Sequence, residues 1–276
     1  MPNLKSVKKD SEEMREEAFE TKISLADGDD EEVFEMLAGY KDEDGVIHKD
    51  FTLREITGKD EEAIQHNGVK SNGAKIINVL LSRCVTRIGA YTPKSLGKDK
   101  WEKLIKNLLV GDQDYIFSHL RKLSVGDEIQ LVHVCPNRDC KAKLETFVDL
   151  DEFEIIPFGG NREIDFELPK GYEDKKGVIH RTGIVRLPNG LDRELLTPAA
   201  KANEARAETI MLTRVCTFED GLSVDEEIMG NLVRRDRDYL QKLLRDNLFG
   251  VNPEIDITCD SCGETFKGSL NASNFI

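Results

Sequence analysis

The chain has 276 residues, 39% of them hydrophobic and 33% charged, with a formal net charge of −14 at pH 7. That length builds substantial cores and favours about two domains, while the acidic balance opposes unassisted binding to nucleic acid or anionic membrane, which needs clustered Lys and Arg. No stretch approaches the roughly 18 consecutive apolar residues of a membrane span, and the start, MPNLKSVKKDSEEMREEAF, has no apolar signal core, so a soluble protein made in the cytoplasm is expected.

Residues 1–32 are rich in Lys, Glu and Asp and close on DGDDEE, which reads as a charged N-terminal arm. EVFEMLAGY and GVIHKDFTLREI flank the turn signal KDEDG and predict a β-hairpin. Ile76, Ile77, Leu80, Leu81, Cys84 and Val85 then fall at helical spacing, as do Leu104 and Leu108, and Ile116, Leu120 and Leu123. DEIQLVHVC turns extended, ends on a Cys pair, and returns as ETFVDL.

After a connection over 151–164, the same order begins again. FELPKGYEDKKGVIH at 166–180 lies 132 positions after FEMLAGYKDEDGVIH at 34–48, and matches it at Phe, Glu, Gly, Tyr, Asp, Gly, Val, Ile and His. The match resumes at an offset of 124, where Asn107-Leu108, Asp112, Asp114-Tyr115, Leu120-Arg121, Gly126 and Cys135 face Asn231-Leu232, Asp236, Asp238-Tyr239, Leu244-Arg245, Gly250 and Cys259. Ile210, Met211, Val215, Ile228, Leu232, Leu240, Leu243 and Leu244 supply the second helical stripes, and PEIDITC with ETFKGSL the second Cys-tipped hairpin. The expected fold is therefore α+β, in two homologous modules over 33–150 and 165–276 that form a pseudo-twofold pair. The change of offset places extra length of copy one mostly in AYTPKSLGKDK.

The six cysteines carry the chemistry. Cys84 and Cys216 sit in apolar helical patterns and read as buried small hydrophobes. CPNRDC and CDSCG present two thiols each; the second is a good zinc-knuckle pattern, with Gly263 suited to a left-handed turn. Two thiolates do not close a structural zinc site, but Cys135, Cys140, Cys259 and Cys262 together make four if the hairpin tips meet. Such a site is structural, with no open position for water. His133 is a conceivable substitute ligand, although a packed or solvated imidazole on the strand is the plainer reading.

Asp112 and Asp114, with Asp236 and Asp238, form DxD pairs; helix capping and first-turn charge explain them better than a divalent ion. His48 and His180 read as strand histidines with a local hydrogen bond, and Thr57-Gly58 and Asn189-Gly190 as matching turns. Phosphate-binding Gly loops, nucleophile elbows and His-Glu metalloprotease spacings are missing from the sequence, so no enzyme is expected.

FTLREITGKDEEAI, then LLVGDQDYIFSHLRKLSVGDEIQLVHVCPNRDC, then FVDL resembles the baseplate hub subunit family of contractile-tail bacteriophages, and is similar to the small hub subunit of T-even phages. The resemblance rests on Thr57-Gly58, Glu61-Glu62, Gly111-Asp112, Asp114-Tyr115, Leu120-Arg121, Gly126, Cys135-Pro136, Cys140 and Val148-Asp149-Leu150. It covers residues 33–150 well and the second copy more weakly; the Cys135–Cys140 turn is wider than the family's usual one. It implies a non-enzymatic virion or tail-assembly role, other baseplate and tail proteins as partners, and a place in the virion after synthesis in the host cytoplasm. Phe34, Tyr40, Phe166, Tyr172 and the tail Phe275-Ile276 are candidate contacts, with core packing the competing reading for the Phe residues. The alternative is a zinc-ribbon adaptor in transcription or RNA metabolism, which the mixed charge of both knuckles disfavours.

Overall fold

A computed structural model describes residues 32–269; most of the charged arm, and Phe275-Ile276, lie outside the described residues. The N-terminal half opens with an antiparallel sheet of β1 (Val33–Lys41), β2 (Ile47–Leu53) and β3 (Val85–Ile88), with β2 in the middle. The C-terminal half opens in the same order with β7 (Glu163–Glu173), β8 (Ile179–Arg186) and β9 (Cys216–Phe218). Strand alternation turns Phe34 and Met36 in one sheet, and Phe166 and Leu168 in the other, into separate cores. Phe34 and Phe166 are therefore interior anchors and not the contact surface considered from sequence, while Tyr40 and Tyr172 are half-buried beside those cores.

Five helices complete the first half: α1 (Gly58–Gln65), α2 (Gly73–Cys84), α3 (Pro93–Leu96), α4 (Lys98–Asn107) and α5 (Val110–Val125). Four follow in the second: α6 (Gly190–Ala202), α7 (Glu204–Val215), α8 (Glu226–Asn231) and α9 (Arg234–Asp246). Helix α3 falls inside AYTPKSLGKDK, where the sequence placed the extra length of the first half. The apolar stripes of α2, α4 and α5 close over the first sheet around Leu80, Ile105, Ile116 and Leu120, and Trp101 Nε1 donates to the Ser82 carbonyl at 3.0 Å. Cys84 and Cys216 are buried as expected, and burial pushes their thiols up to about 11 and about 12.

In each half a buried carboxylate ties helix to sheet. The β1–β2 register slips between Glu35 and Tyr40, and the Ala38 and Gly39 N–H groups donate to Asp112, each at 2.9 Å. The β7–β8 register slips between Glu167 and Tyr172, and the Lys170 and Gly171 N–H groups donate to Asp236, each at 2.9 Å. Gly39 and Gly171 have φ of +83° and +85°, and a Cβ there would meet the His48 or His180 carbonyl at 2.8 or 2.7 Å. These aspartates do not cap their own helices, as the DxD reading expected; the N-cap positions are Leu109 and Val233, neither with a side-chain bond. A first-turn side chain leans toward the helix N-terminus, and there it meets two strand N–H groups that the bulge has taken out of the ladder.

Thr57-Gly58 and Asn189-Gly190 are also not hairpin turns but the N-cap and first residue of α1 and α6, each closed by a capping box with Asp60 or Asp192. Asn189 Oδ1 accepts the Asp192 N–H at 3.0 Å, while at Thr57 the hydroxyl donates to Asp60 at 2.7 Å and the backbone carbonyl accepts the Asp60 N–H at 2.8 Å, and these bonds outcompete a two-residue turn. Asp60 then accepts both Arg54 guanidinium nitrogens, at 2.7 and 3.0 Å, and Arg83 Nε at 2.6 Å. Asp192 does the same with Arg186, at 2.6 and 3.0 Å, and Arg214 Nε at 2.7 Å. Hydrogen bonds from Arg54 hold Asp60 well below the usual carboxylate range against the opposing effect of burial. Burial alone would raise Asp192, but Arg186 and its partners bring it below that range. His48 and His180 have the local partners expected of them: His48 Nε2 lies 2.8 Å from Asp42 and His180 Nδ1 lies 2.5 Å from Asp220.

The helical bodies meet through a one-sided joint. The N-terminal end of α6 lies across α2, α4 and α5. There the Gly190 N–H donates to the Leu108 carbonyl at 3.1 Å, and the Val110 N–H to the Pro188 carbonyl at 3.0 Å. Asn78 Nδ2 donates to the Gly190 carbonyl at 3.1 Å, Asn72 Nδ2 to the Glu194 carbonyl at 2.8 Å, and Arg193 binds Asp114 and Gln113. Beside it, Arg162 Nη2 donates to the Ala38 and Gly39 carbonyls at 2.8 and 2.6 Å.

Candidate metal centre

The two cysteine pairs lie on separate hairpins, β4 (Glu128–Val134) with β5 (Lys143–Asp149), and β11 (Glu254–Thr258) with β12 (Thr265–Ser269). Alternation puts Ile129 and Leu131 on the inner face of the first hairpin and Ile255 and Ile257 on that of the second, and these faces pack together. The expected connection over 151–164 takes part: within it β6 (Ile155–Ile156) pairs antiparallel with β10 (Gly250–Val251), and β7 begins at Glu163. Pairing at the base and apolar packing along the faces bring the tips into register.

At the tips, Cys135, Cys140, Cys259 and Cys262 bring all four Sγ atoms within 4.8 Å of one another. The cross-hairpin distances are 3.7 Å for Cys135–Cys262 and 3.8 Å for Cys140–Cys259. Four thiolates around a tetrahedral ion with bonds of about 2.3 Å would be about 3.8 Å apart. A disulfide needs about 2.05 Å, and all four are free thiols.

The loop backbones are arranged to receive negative charge. The Asn137 N–H points at Cys135 Sγ, the Ser261 and Cys262 N–H groups at Cys259 Sγ, and the Glu264 N–H at Cys262 Sγ. Burial pulls Cys259 upward, but the Ser261 and Cys262 N–H groups bring it down to about 7. For Cys262 the Glu264 N–H acts downward, and burial with the three neighbouring sulfurs overcomes it, to about 12. Four crowded thiols cannot all ionise on their own; a cation among them removes that conflict. The residue after each second cysteine is left-handed, Gly263 at φ +74° as its pattern suggested and Lys141 at φ +53°. His133 is no fifth donor: its ring packs edge-on to Phe266 at 6.3 Å, beside Gly268.

One further acidic group, Asp127, Asp149 and Asp151, is exposed, and Lys122 pairs with Asp151. Among the described residues no helix is long and apolar enough to cross a membrane.

The protein is thus of the mixed α+β class with small sheets, and it carries a four-thiol cluster compatible with a metal site where two hairpins meet. The chain belongs to the T4 bacteriophage base plate protein family, whose model matches residues 43–182. No curated protein and no solved structure matches it. The family match takes in Cys135 and Cys140 but ends before Cys259 and Cys262, so half of the cluster lies outside it.

Proposed function

We propose that this chain is a non-enzymatic structural subunit or assembly factor of the hub region of a contractile-tail baseplate. Two homologous modules, 33–150 and 165–276, are locked in it by one zinc ion shared among Cys135, Cys140, Cys259 and Cys262. The family match carries the baseplate role, and the cross-hairpin sulfur spacing of 3.7 and 3.8 Å carries the metal. The modular reading draws support from the recurrence of whole interaction sets: the Asp112 and Asp236 ties, the Arg54–Asp60–Arg83 and Arg186–Asp192–Arg214 clusters, and the strand histidines. The sulfur pairs also exchange between equivalent positions, 135 with 262 and 259 with 140, which supports a local twofold at the tips.

The ion would add its binding energy to folding and fix the hairpins against each other. Fixed in this way, the β4–β5 hairpin presents Val132, Val134 and Phe147 outward, at 50%, 59% and 62% exposure. An apolar strand face of this kind suits contact with another tail protein.

Metal analysis tests the site: one zinc per chain, lost on Cys259→Ser, supports sharing, whereas two zincs or none count against it. A protein inventory of purified particles tests the role, because a chain found neither in particles nor in assembling hubs has no baseplate function. Phe147→Ser should leave melting unchanged and reduce incorporation.

A further inference from the structure

The joint between the helical bodies uses one knob and one hole, and each half of the chain carries both. In the observed joint the knob is the start of α6, and the hole is the floor between α2, α4 and α5. The structurally equivalent floor in the C-terminal half, between α7, α8 and α9, is an open cleft of about 650 Å³. Its lining repeats the first hole position by position: Asn203 stands for Asn72, Thr209 for Asn78, Leu232 for Leu108, Arg237 for Gln113 and Asp238 for Asp114. Asn72 and Asn203 are both N-caps. Leu109, buried in the first joint, has its counterpart in Val233, which is 43% exposed.

The equivalent knob in the N-terminal half, the start of α1, is equally bare. A Cβ on Gly190 would meet the Gln113 amide at 2.1–2.5 Å and displace it from its bonds, so glycine suits the observed joint there. A Cβ on Gly58 would meet nothing within 4 Å. The side chains on the two unused surfaces differ from those of the observed joint. In the observed joint the knob brings Arg193 and the hole offers Gln113 and Asp114. On the open knob Glu61 replaces Arg193 and is exposed, next to exposed Glu62, while in the open hole Arg237 replaces Gln113 and Arg206 and Arg234 stand at the rim. The three arginines of the cleft are paired with acids of the same lining, Arg206 with Glu226, Arg234 with Asp238 and Arg237 with Glu208, so the match between knob and hole rests on the repeated shape and backbone groups.

We infer that the start of α1 in one copy of this chain docks in the α7–α8–α9 cleft of a second copy, repeating the internal joint head to tail. This rests on the two-module reading above. A heterologous contact of this kind is not self-satisfying: each added chain leaves one knob and one hole free, so copies add until a ring closes or a filament grows. The Gly58 N–H then takes the Leu232 carbonyl, as Gly190 takes Leu108.

Sedimentation velocity on the full-length zinc-loaded chain, up to about 100 µM, tests this, since a micromolar joint is populated there. Wild type should form species larger than a dimer. Gly58→Leu blocks the knob and Gly230→Trp blocks the hole, without touching either core. Each alone should stay monomeric with an unchanged melt, and their equimolar mixture should stop at a dimer, which only a knob-and-hole contact predicts. A wild type that stays monomeric, or a Gly58→Leu chain that associates as wild type does, overturns the inference. Zinc measured on the same samples separates the two readings: one zinc per chain in a monomeric wild type leaves the shared site standing while docking fails.

Discussion

His119 shows how one side chain can set the acid limb of stability. Its ring lies in an aromatic nest, with centroids 4.7 Å from Phe34 and 4.6 Å from Tyr115. Burial, reinforced by Lys122, lowers its pKa to about 4. An unfolded histidine titrates near 6.5, so the unfolded chain takes up the proton first, and the neutral ring's contribution is present above about pH 6.5 and lost as pH falls toward 4. The loss should reach about 3 kcal/mol. Urea melts of wild type and His119→Phe between about pH 7 and 4 check this; an identical pH slope in both would refute it. The knuckle residues offer a second comparison. Lys141 holds φ +53° against its side chain, whereas Gly263 holds φ +74° freely. Lys141→Gly should therefore be neutral or gain up to about 1 kcal/mol, and Gly263→Lys should lose about 1–2 kcal/mol, by thermal melts at fixed zinc.

Among elements, the tie between a sheet bulge and the helix above it decides how each half holds its shape. Asp112 satisfies two buried strand N–H groups that would otherwise lack partners, and Asp236 satisfies two part-buried ones in the other half. Asparagine keeps the shape but turns an NH₂ toward one of those donors. Asp112→Asn and Asp236→Asn should each cost about 2–3 kcal/mol in urea unfolding, with closely similar losses; a cost below about 0.5 kcal/mol in either would show the tie to be incidental. The strands and helices were legible because alternation and helical spacing are local, as Phe34–Met36 in β1 and Leu80–Cys84 in α2 show. The roles of polar residues at their ends were not. An Asp in a first turn looks the same whether it caps its own helix or a neighbouring bulge, and Asn-Gly serves an N-cap as well as a hairpin. In the Arg–Asp–Arg clusters the second arginine lies 23 positions beyond Asp60 in one half and 22 beyond Asp192 in the other, beyond any local pattern. Extending the repeat to Arg54 and Arg186, each followed six positions later by Asp, would have exposed them.

For the molecule, the helical joint and the packed hairpins connect the halves, and with the proposed zinc at the tips the two should separate on metal removal. The cysteine tips were legible from spacing alone, since ligand pairs are short motifs. The helical joint was not, because the contacts that Asn72, Asn78, Gln113 and Arg193 make across it lie 79 to 122 positions away along the chain. The joint satisfies buried amides with direct hydrogen bonds and owes nothing to the thiols. The hairpins have only two small clusters, Ile129, Leu131 and Val148 with Leu150 and Phe153 near the base and Leu144 with Ile257 near the tips, which bring four sulfurs to one point. A chelator strong enough to strip zinc should therefore release the tips first. Hydrogen exchange should rise sharply across Glu128–Val134 and Glu254–Thr258 while β1, β2 and α5 keep their protection. Helical circular dichroism should stay nearly unchanged, and the thiols should become reactive. If protection in β1 and α5 collapsed together with the hairpins, the ion would be holding the whole fold rather than the tips, and the division of labour between joint and metal would be wrong.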